Sequence, residues 1–518
     1  MADLDLTKDS RLNKTLLNAR VNFIFYFLTL IANFVARKVF LDYLGDDFVG
    51  LTGTLINILG YLNLAELGVS SAIAFNLYKP ISEGNQDKIA RIISQLGYYY
   101  NKIGMVVGGA GILLSAFLFL IFKDSAFRDY GVIYFAFYTY LISSLLGYFV
   151  NYRQILLVAD QKNYVVSSMF QSSNILKAIV QIAVAIHFHN FFAWIGIELF
   201  FSIAYSYFLN RKISKEYPWL KTDIKEGKRY NKENPDILKS TKQVFVHKLK
   251  DFLLTQSDQL FVFIFVSLKM VAYYGNYVLI ISKLTQLFNT LLDSVLASVG
   301  NLVAENDREK MVKVFWELMA IRYFLAGCIC FVIYFAISPF ITLWVGEEYL
   351  LSNIVLWLLL INLFIIISRG TVDNYNFAFG HFADVWSAWV ELIINVGVTI
   401  IGGWLWGIPG ILLGKTLSML PIIVFWKPYY LFHDGLGLKY RLYWKGTVRY
   451  LVCFAVTAVG IGFFANWLPI NPYSSFFRLI IYTLIVAVIF SFVYFMAIYM
   501  LCPGGRHLIQ RLKKFRKR

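Results

Sequence analysis

Apolar runs of about twenty residues recur along almost the whole chain, and each is long enough to cross the hydrocarbon core of a bilayer as an α-helix. At 58% hydrophobic and 15% charged, the 518 residues carry more apolar surface than a water-soluble fold buries, so lipid is the solvent they suit. At roughly 20 residues per span the runs predict about fourteen helices, near 18–41, 48–78, 96–122, 131–157, 164–186, 190–210, 243–268, 271–302, 314–340, 352–379, 384–406, 408–432, 446–467 and 475–501. The expected fold class is an all-α polytopic membrane protein. Trp194, Trp219, Trp344, Trp404, Trp426 and Trp467 sit at run ends, as anchors at the membrane surfaces do. The N-terminus opens polar and its first apolar run is too long for a signal peptide, so that run is expected to stay as the first membrane helix. Cys328, Cys330, Cys453 and Cys502 lie in or beside apolar stretches and indicate neither a disulfide framework nor a metal site.

Basic residues close to helix ends resist translocation and mark the cytoplasmic face. On the fourteen-helix reading about 38 of the 48 Lys and Arg fall in the N-terminus, alternate loops and the C-terminal tail, with about 5 in the opposite loops. Both termini are therefore expected in the cytoplasm, and the net charge of +17 is assigned to topology and to anionic lipid heads, with no nucleic-acid partner. The charged stretch 211–242 reads as a cytoplasmic linker between an N-terminal lobe, 1–210, and a C-terminal lobe, 243–432, each of six helices. Residues 433–501 supply two further helices and 502–518 a basic tail. KPISEGNQDKIARI at 79–92 resembles AENDREKMVKV at 304–314, and DQKNYVVSSMFQ at 160–171 can be laid over GHFADVWSAWVE at 380–391, a weak internal repeat of the kind on which many transporters are built.

A charged side chain at the bilayer centre costs roughly 2.5 to 3.5 kcal/mol unless it faces protein or water. At 100° per residue, Asn22, Tyr26, Thr29, Asn33 and Arg37 share one stripe of the first helix, and Asn63, Glu66 and Ser70 one stripe of the second. Gln171, Asn174, Lys177 and Gln181 line one side of the fifth. In the second half Lys248, Asp251, Thr255 and Asp258 share a face, as do Asn276, Lys283, Gln286, Thr290 and Asp293. The bland account is that such groups join helices by hydrogen bonds. The functional account is a hydrated, net cationic cavity for an anionic substrate, lined by Arg37, Glu66, Lys177, Lys283 and Lys415, with Asp258 and Asp293 as ion partners or coupling sites. On this reading Lys177 and Lys283 are unpaired cations.

Three enzyme-like signals have blander explanations. GILLGKT at 410–416 has three residues between its glycines where a phosphate-binding loop needs four, and it sits in an apolar span, so helix packing accounts for it. Asp46 and Asp47 suggest the acidic site of a membrane glycosyltransferase, yet the outward loops are short, and the pair suits an interfacial helix start. His187 and His189 have no further metal-type ligand nearby. No cofactor is called for.

The segment 43–81, YLGDDFVGLTGTLINILGYLNLAELGVSSAIAFNLYKPI, resembles the stretch joining the first two helices of Wzx-type polysaccharide flippases, a branch of the multidrug/oligosaccharidyl-lipid/polysaccharide (MOP) flippase superfamily. Helix number, the six-plus-six-plus-two layout, the central cytoplasmic loop and cytoplasmic termini extend the resemblance over the chain. It implies a MATE-like architecture in the bacterial cytoplasmic membrane. It also implies a carrier that moves undecaprenyl-pyrophosphate-linked oligosaccharide by alternating access without ATP, alongside glycosyltransferases and a polysaccharide polymerase. Drug-exporting relatives often keep an acidic cation site in the first helix, where this chain has only Asn22 and Asn33 within the span. A MATE-like cation-coupled exporter stands as the alternative, with a membrane glycosyltransferase more remote.

Overall fold

The long apolar runs are helices. The computed structural model describes residues 3–63, 69–123, 127, 129–233, 257–292, 299–300, 302–303, 305, 307–381 and 384–515. Ten helices among these residues are long and apolar enough to span a membrane, and no strand occurs among them. The fold is an all-α polytopic membrane fold. Its backbone polar groups bond within each helix, as lipid requires.

The chain divides into two compact units, the first of residues 1–263 and 267–272, the second of 264–266 and 273–518. In the first lie α1 (Asp3–Leu44), α2 (Asp46–Leu62), α3 (Val69–Ser82), α4 (Gln86–Ser115), α5 (Tyr130–Phe149), α6 (Asn163–Phe188), α7 (Phe191–Glu216) and α8 (Ile224–Glu233). Asp46 and Asp47 occupy the first turn of α2, after Gly45, whose φ of 85° favours glycine. α1 packs on α6, α4 on α5, and α5 and α6 on α7. Their shared core includes Phe48, Leu51, Leu55, Ile133, Phe137 and Ile195. The stretch read as a linker is folded where it is described: Tyr217 and Leu220 join this core, and α8 lies on α4 with Gly227 against the backbone of Ser94.

In the second unit α9 (Leu268–Leu292), which begins in the first unit, is followed by α10 (Arg308–Trp344), α11 (Asn353–Ser368), α12 (Val385–Trp406), α13 (Ile408–Met419), α14 (Tyr440–Trp467), α15 (Phe476–Leu501) and α16 (Pro503–Phe515). α10 packs on α11, α15 and α16, and α14 on α15, around an aromatic core. Within it Phe331 stacks on Phe490 at 3.9 Å and Tyr323 on Tyr450 at 5.0 Å. After Met419 the helix widens into π turns at Leu420–Trp426, where Pro421 brings no amide donor.

The outer surface is apolar, which marks it as the face turned to lipid. Phe463 is 74% exposed, and Trp467, at the end of α14, is 84% exposed. Trp404 is likewise exposed, as an interfacial anchor should be. Trp194 and Trp344 depart from that expectation, because both are buried. Trp194 packs edge-on against Phe40 and Phe48.

The two stretches aligned as a repeat share a design. Before α6 the chain turns through Gln161 at φ 59°, and Lys162 bridges Asp160 at 2.8 Å and Glu216 at 2.9 Å. Burial pushes the Lys162 ammonium down in pKa, but its hydrogen bonds to Asp160 and Glu216 outweigh this and leave it raised. Before α12 the chain turns through Gly380 at φ 70°, and the buried carboxylate of Asp384 is held by Lys427 at 2.8 Å and by the Trp426 indole at 2.9 Å.

The α12–α13 hairpin brings two helix backbones into close approach. A Cβ on Gly410 would sit 1.9 Å from the Gly402 carbonyl oxygen, and one on Gly414 would sit 2.1 Å from Thr399 Oγ1. The glycines of GILLGKT therefore serve packing, the small-residue contact that lipid-embedded helices use. Gly410→Val is expected to force the hairpin apart, costing about 1–3 kcal/mol or more. The check is a lower Tm in detergent and reduced accumulation in the membrane. Gly460→Val, at a position with open space around it, should leave both unchanged.

Candidate functional site

Between α5, α6 and α7 the first unit has an open chamber of about 510 Å³. Its position follows from a break in the helical register. α5 ends at Phe149, and the chain tightens into a 3₁₀ turn, Asn151–Arg153, before a short helix, Gln154–Ala159. That turn projects polar side chains into the bundle, where they bond to α7. Asn151 donates to Ser206 Oγ at 3.0 Å, Asn210 donates to Asn151 Oδ1 at 3.1 Å, and Arg153 donates to Asn210 Oδ1 at 2.9 Å. Tyr205 donates to Gln154 Oε1 at 3.3 Å.

The stripe of α6 supplies the facing wall through Gln171, Asn174 and Lys177. Lys177 Nζ lies 2.7 Å from Glu198 Oε1 of α7, with the two side chains 19% and 20% exposed. The expectation of an unpaired cation at this position is therefore corrected. Two half-buried charges at this distance neutralise one another and share the hydration of the chamber, which makes them affordable at membrane depth. The sequence reading missed Glu198 because it searched polar stripes within single helices, whereas this carboxylate is alone on an apolar stretch of α7. Ser143, Ser167, Ser173 and Ser202 add hydroxyls to a lining that also includes the apolar Val166, Phe170 and Phe201. It donates and accepts hydrogen bonds without a net charge.

The other candidate residues fall elsewhere. Arg37 of α1 donates to the Ala272 carbonyl at 2.8 Å, so its charge serves a helix-joining bond within the first unit. Asp258 is buried beside Tyr61 and Ser257 in the same unit. Neither lines the chamber. Lys283 of α9 and Lys415 of α13 are half-buried in the second unit and line neither of the two cavities described there. Glu66, Asp293, Lys248, Asp251 and Thr255 lie outside the described residues. Several uncharged stripe residues take the bland role. Asn63 accepts from Ser144 at 2.8 Å and from Tyr148 at 3.0 Å, and Gln181 donates to the Trp194 carbonyl at 3.1 Å.

Among the described residues no cluster of His, Cys, Asp and Glu could hold a metal ion. Asp46 is ion-paired with Lys269 at 3.4 Å. All four cysteines are free thiols.

The architecture thus defines a multi-pass helical membrane protein with a polar chamber inside an apolar bundle. Its fold is similar to that of the lipid II flippase MurJ in an inward closed conformation, with a TM-score of 0.66 at 17% identity over 93% of this chain and 99% of that one. It is also similar to an inward-facing multidrug resistance MATE family transporter of the MOP superfamily, with a TM-score of 0.53 at 13% identity over 79% of this chain and 95% of that one. No protein-family model matches the chain, and no curated protein matches it.

Removing one member of the ion pair should cost more than removing both. Lys177→Ala leaves the Glu198 carboxylate without its partner, at about 1–3 kcal/mol. The double variant Lys177→Gln with Glu198→Gln should recover most of that loss in Tm. Equal stability of wild type, single and double variants would show the two charges to be energetically independent.

Proposed function

We propose that the protein is a flippase that moves undecaprenyl-pyrophosphate-linked oligosaccharide across the bacterial cytoplasmic membrane by alternating access. The reading rests chiefly on the chamber of the first unit, whose amides and hydroxyls match the hydroxyl-rich surface of a sugar better than that of a hydrophobic cation. The likeness in fold to a flippase for a lipid-linked substrate supports it. The polar head group would pass through a hydrated interior while the polyprenyl tail stays in lipid, so the head never crosses bare hydrocarbon. Arg37, Glu66, Lys177, Lys283 and Lys415 remain the candidates for contact with the head group, with Asp258 and Asp293 for coupling. Lys177 would act as one half of a pair, exchanging Glu198 for a phosphate. Membrane potential or an ion gradient would reset the cycle. Glycosyltransferases would supply the substrate and a polymerase consume it.

A second reading has one specific observation behind it. Glu198 is a carboxylate inside the chamber and suits a site for a coupling cation, as in a cation-driven exporter. Vesicles separate the two. With purified protein and a fluorescent lipid-linked oligosaccharide, flipping should require an ion gradient or potential, stop with ionophores and not resume with ATP. Cation-driven drug efflux without flipping would replace the flippase reading with the exporter. ATP-dependent rescue by the protein alone would sink both.

Both termini and residue 231 are assigned to the cytoplasm and Asn471 to the outside, on the distribution of basic residues. Cysteines placed at 231 and 471 should be labelled from outside intact spheroplasts only at 471. The opposite pattern would invert the topology.

A further inference from the structure

A cationic cavity of the second unit lies apart from every candidate residue considered so far. It holds about 620 Å³ where α10 and α14 begin and α16 crosses them. Arg308, Lys313, Lys445 and Arg449 line it with His507, against a single carboxylate, Glu309. Helical spacing places these groups. Arg308, Val312 and Trp316 follow one another at intervals of four on α10, and Leu442, Lys445 and Arg449 at three and four on α14. On α10 the cations Arg308 and Lys313 precede the apolar Trp316, and on α14 the apolar Leu442 precedes Lys445 and Arg449, so cations and apolar carbon alternate along the cavity wall. Trp316, Phe432, Leu438 and Leu442 make the apolar side.

The cavity is built into the fold. Gly446 lets the Trp316 indole close against α14, since a Cβ there would come within 2.1 Å of the ring, and Gly504 lets α16 lie on the Trp316 carbonyl at 1.8 Å by the same measure. Tyr450 locks the junction, donating to the Trp316 carbonyl and accepting from the Gly504 amide, both at 3.3 Å. Arg308 is steadied by a bond to the Gly437 carbonyl. Lys313, Lys445 and Arg449 have no ion-pair partner among the described residues.

Four permanent cations beside an apolar wall, at the level where three helices meet the end of the bundle, match a phosphate diester that carries acyl chains. We propose that this cavity binds an anionic phospholipid. The phosphate sits among Lys313, Lys445 and Arg449, and the glyceride carbons lie on Trp316 and Leu442. The bound lipid ties α16 to the starts of α10 and α14. This assignment is independent of what the protein transports.

The test uses the full chain in nanodiscs and in detergent for native mass spectrometry, with phosphatidylglycerol against phosphatidylcholine. Wild-type protein should retain phosphatidylglycerol and gain Tm from it. The triple variant Lys313→Gln, Lys445→Gln, Arg449→Gln should lose retention by about tenfold or more, with a Tm in phosphatidylcholine equal to that of wild type. Lys212→Gln with Lys215→Gln, basic residues at the end of α7, should leave retention unchanged. Unaltered phosphatidylglycerol binding by a folded triple variant would overturn the site. Displacement of the lipid by glycerol 3-phosphate at equal concentration would overturn the lipid assignment in favour of a soluble phosphate ligand. If the triple variant does not fold, the single variant Lys445→Gln, at an exposed position, carries the same comparison.

Discussion

Everything in this fold answers to one constraint: a polar group inside hydrocarbon must find its partner within the protein. The helices satisfy it for the backbone. The side chains satisfy it in different ways in different places. Asn63, Gln181 and Arg37 spend their polarity on joining helices, through bonds to Tyr148, to the Trp194 carbonyl and to the Ala272 carbonyl. Asp384 is enclosed by Lys427 and Trp426. Where α5 gives way to a 3₁₀ turn, amide and hydroxyl groups gather around open volume instead of filling it. That difference between consumed and available polarity is what singles out the chamber.

The class of fold was legible because it depends on the lengths of apolar runs, and the bilayer sets that length whatever the packing. Helix ends were less so. α4 starts at Gln86 and α10 at Arg308, before the apolar run begins, because a helix capped by Asn85 or Asp307 continues into the polar head groups. The polar stripe of α6 does line the chamber, through Gln171, Asn174 and Lys177. The stripe could not show the partner of Lys177, because Glu198 shares no stripe with other polar residues and is brought near only by the packing of α6 on α7. A charge of one sign on a stripe reads as a free charge until the neighbouring helix is known. The aromatic belt was over-read for the same reason: Trp194 ends an apolar run, but the packing of α7 turns it inward to Phe48.

The chamber and the cationic cavity of the second unit contrast in electrostatic character. In the chamber Lys177 and Glu198 cancel, which leaves hydrogen bonds of moderate strength as the means of recognition on the proposed reading and suits something that has to leave again. In the cavity between α10, α14 and α16 four cations face one carboxylate, which suits an anion that stays. Each lies beside a helix start or break, α5 giving way to the 3₁₀ turn at the chamber and α10 and α14 beginning at the cationic cavity.

The contact between Gly402 and Gly410 also bears on how the protein is made. Backbones this close leave no room for a lipid chain between them, and the turn at Gly407 is too short for the two helices to part far while both lie in the membrane. The short turn keeps α12 and α13 neighbours at every stage of insertion, so that the two can pair as a hairpin without a search through the bilayer. Buried Glu391 on α12 and half-buried Lys415 on α13 would then enter hydrocarbon together on the two arms of that hairpin.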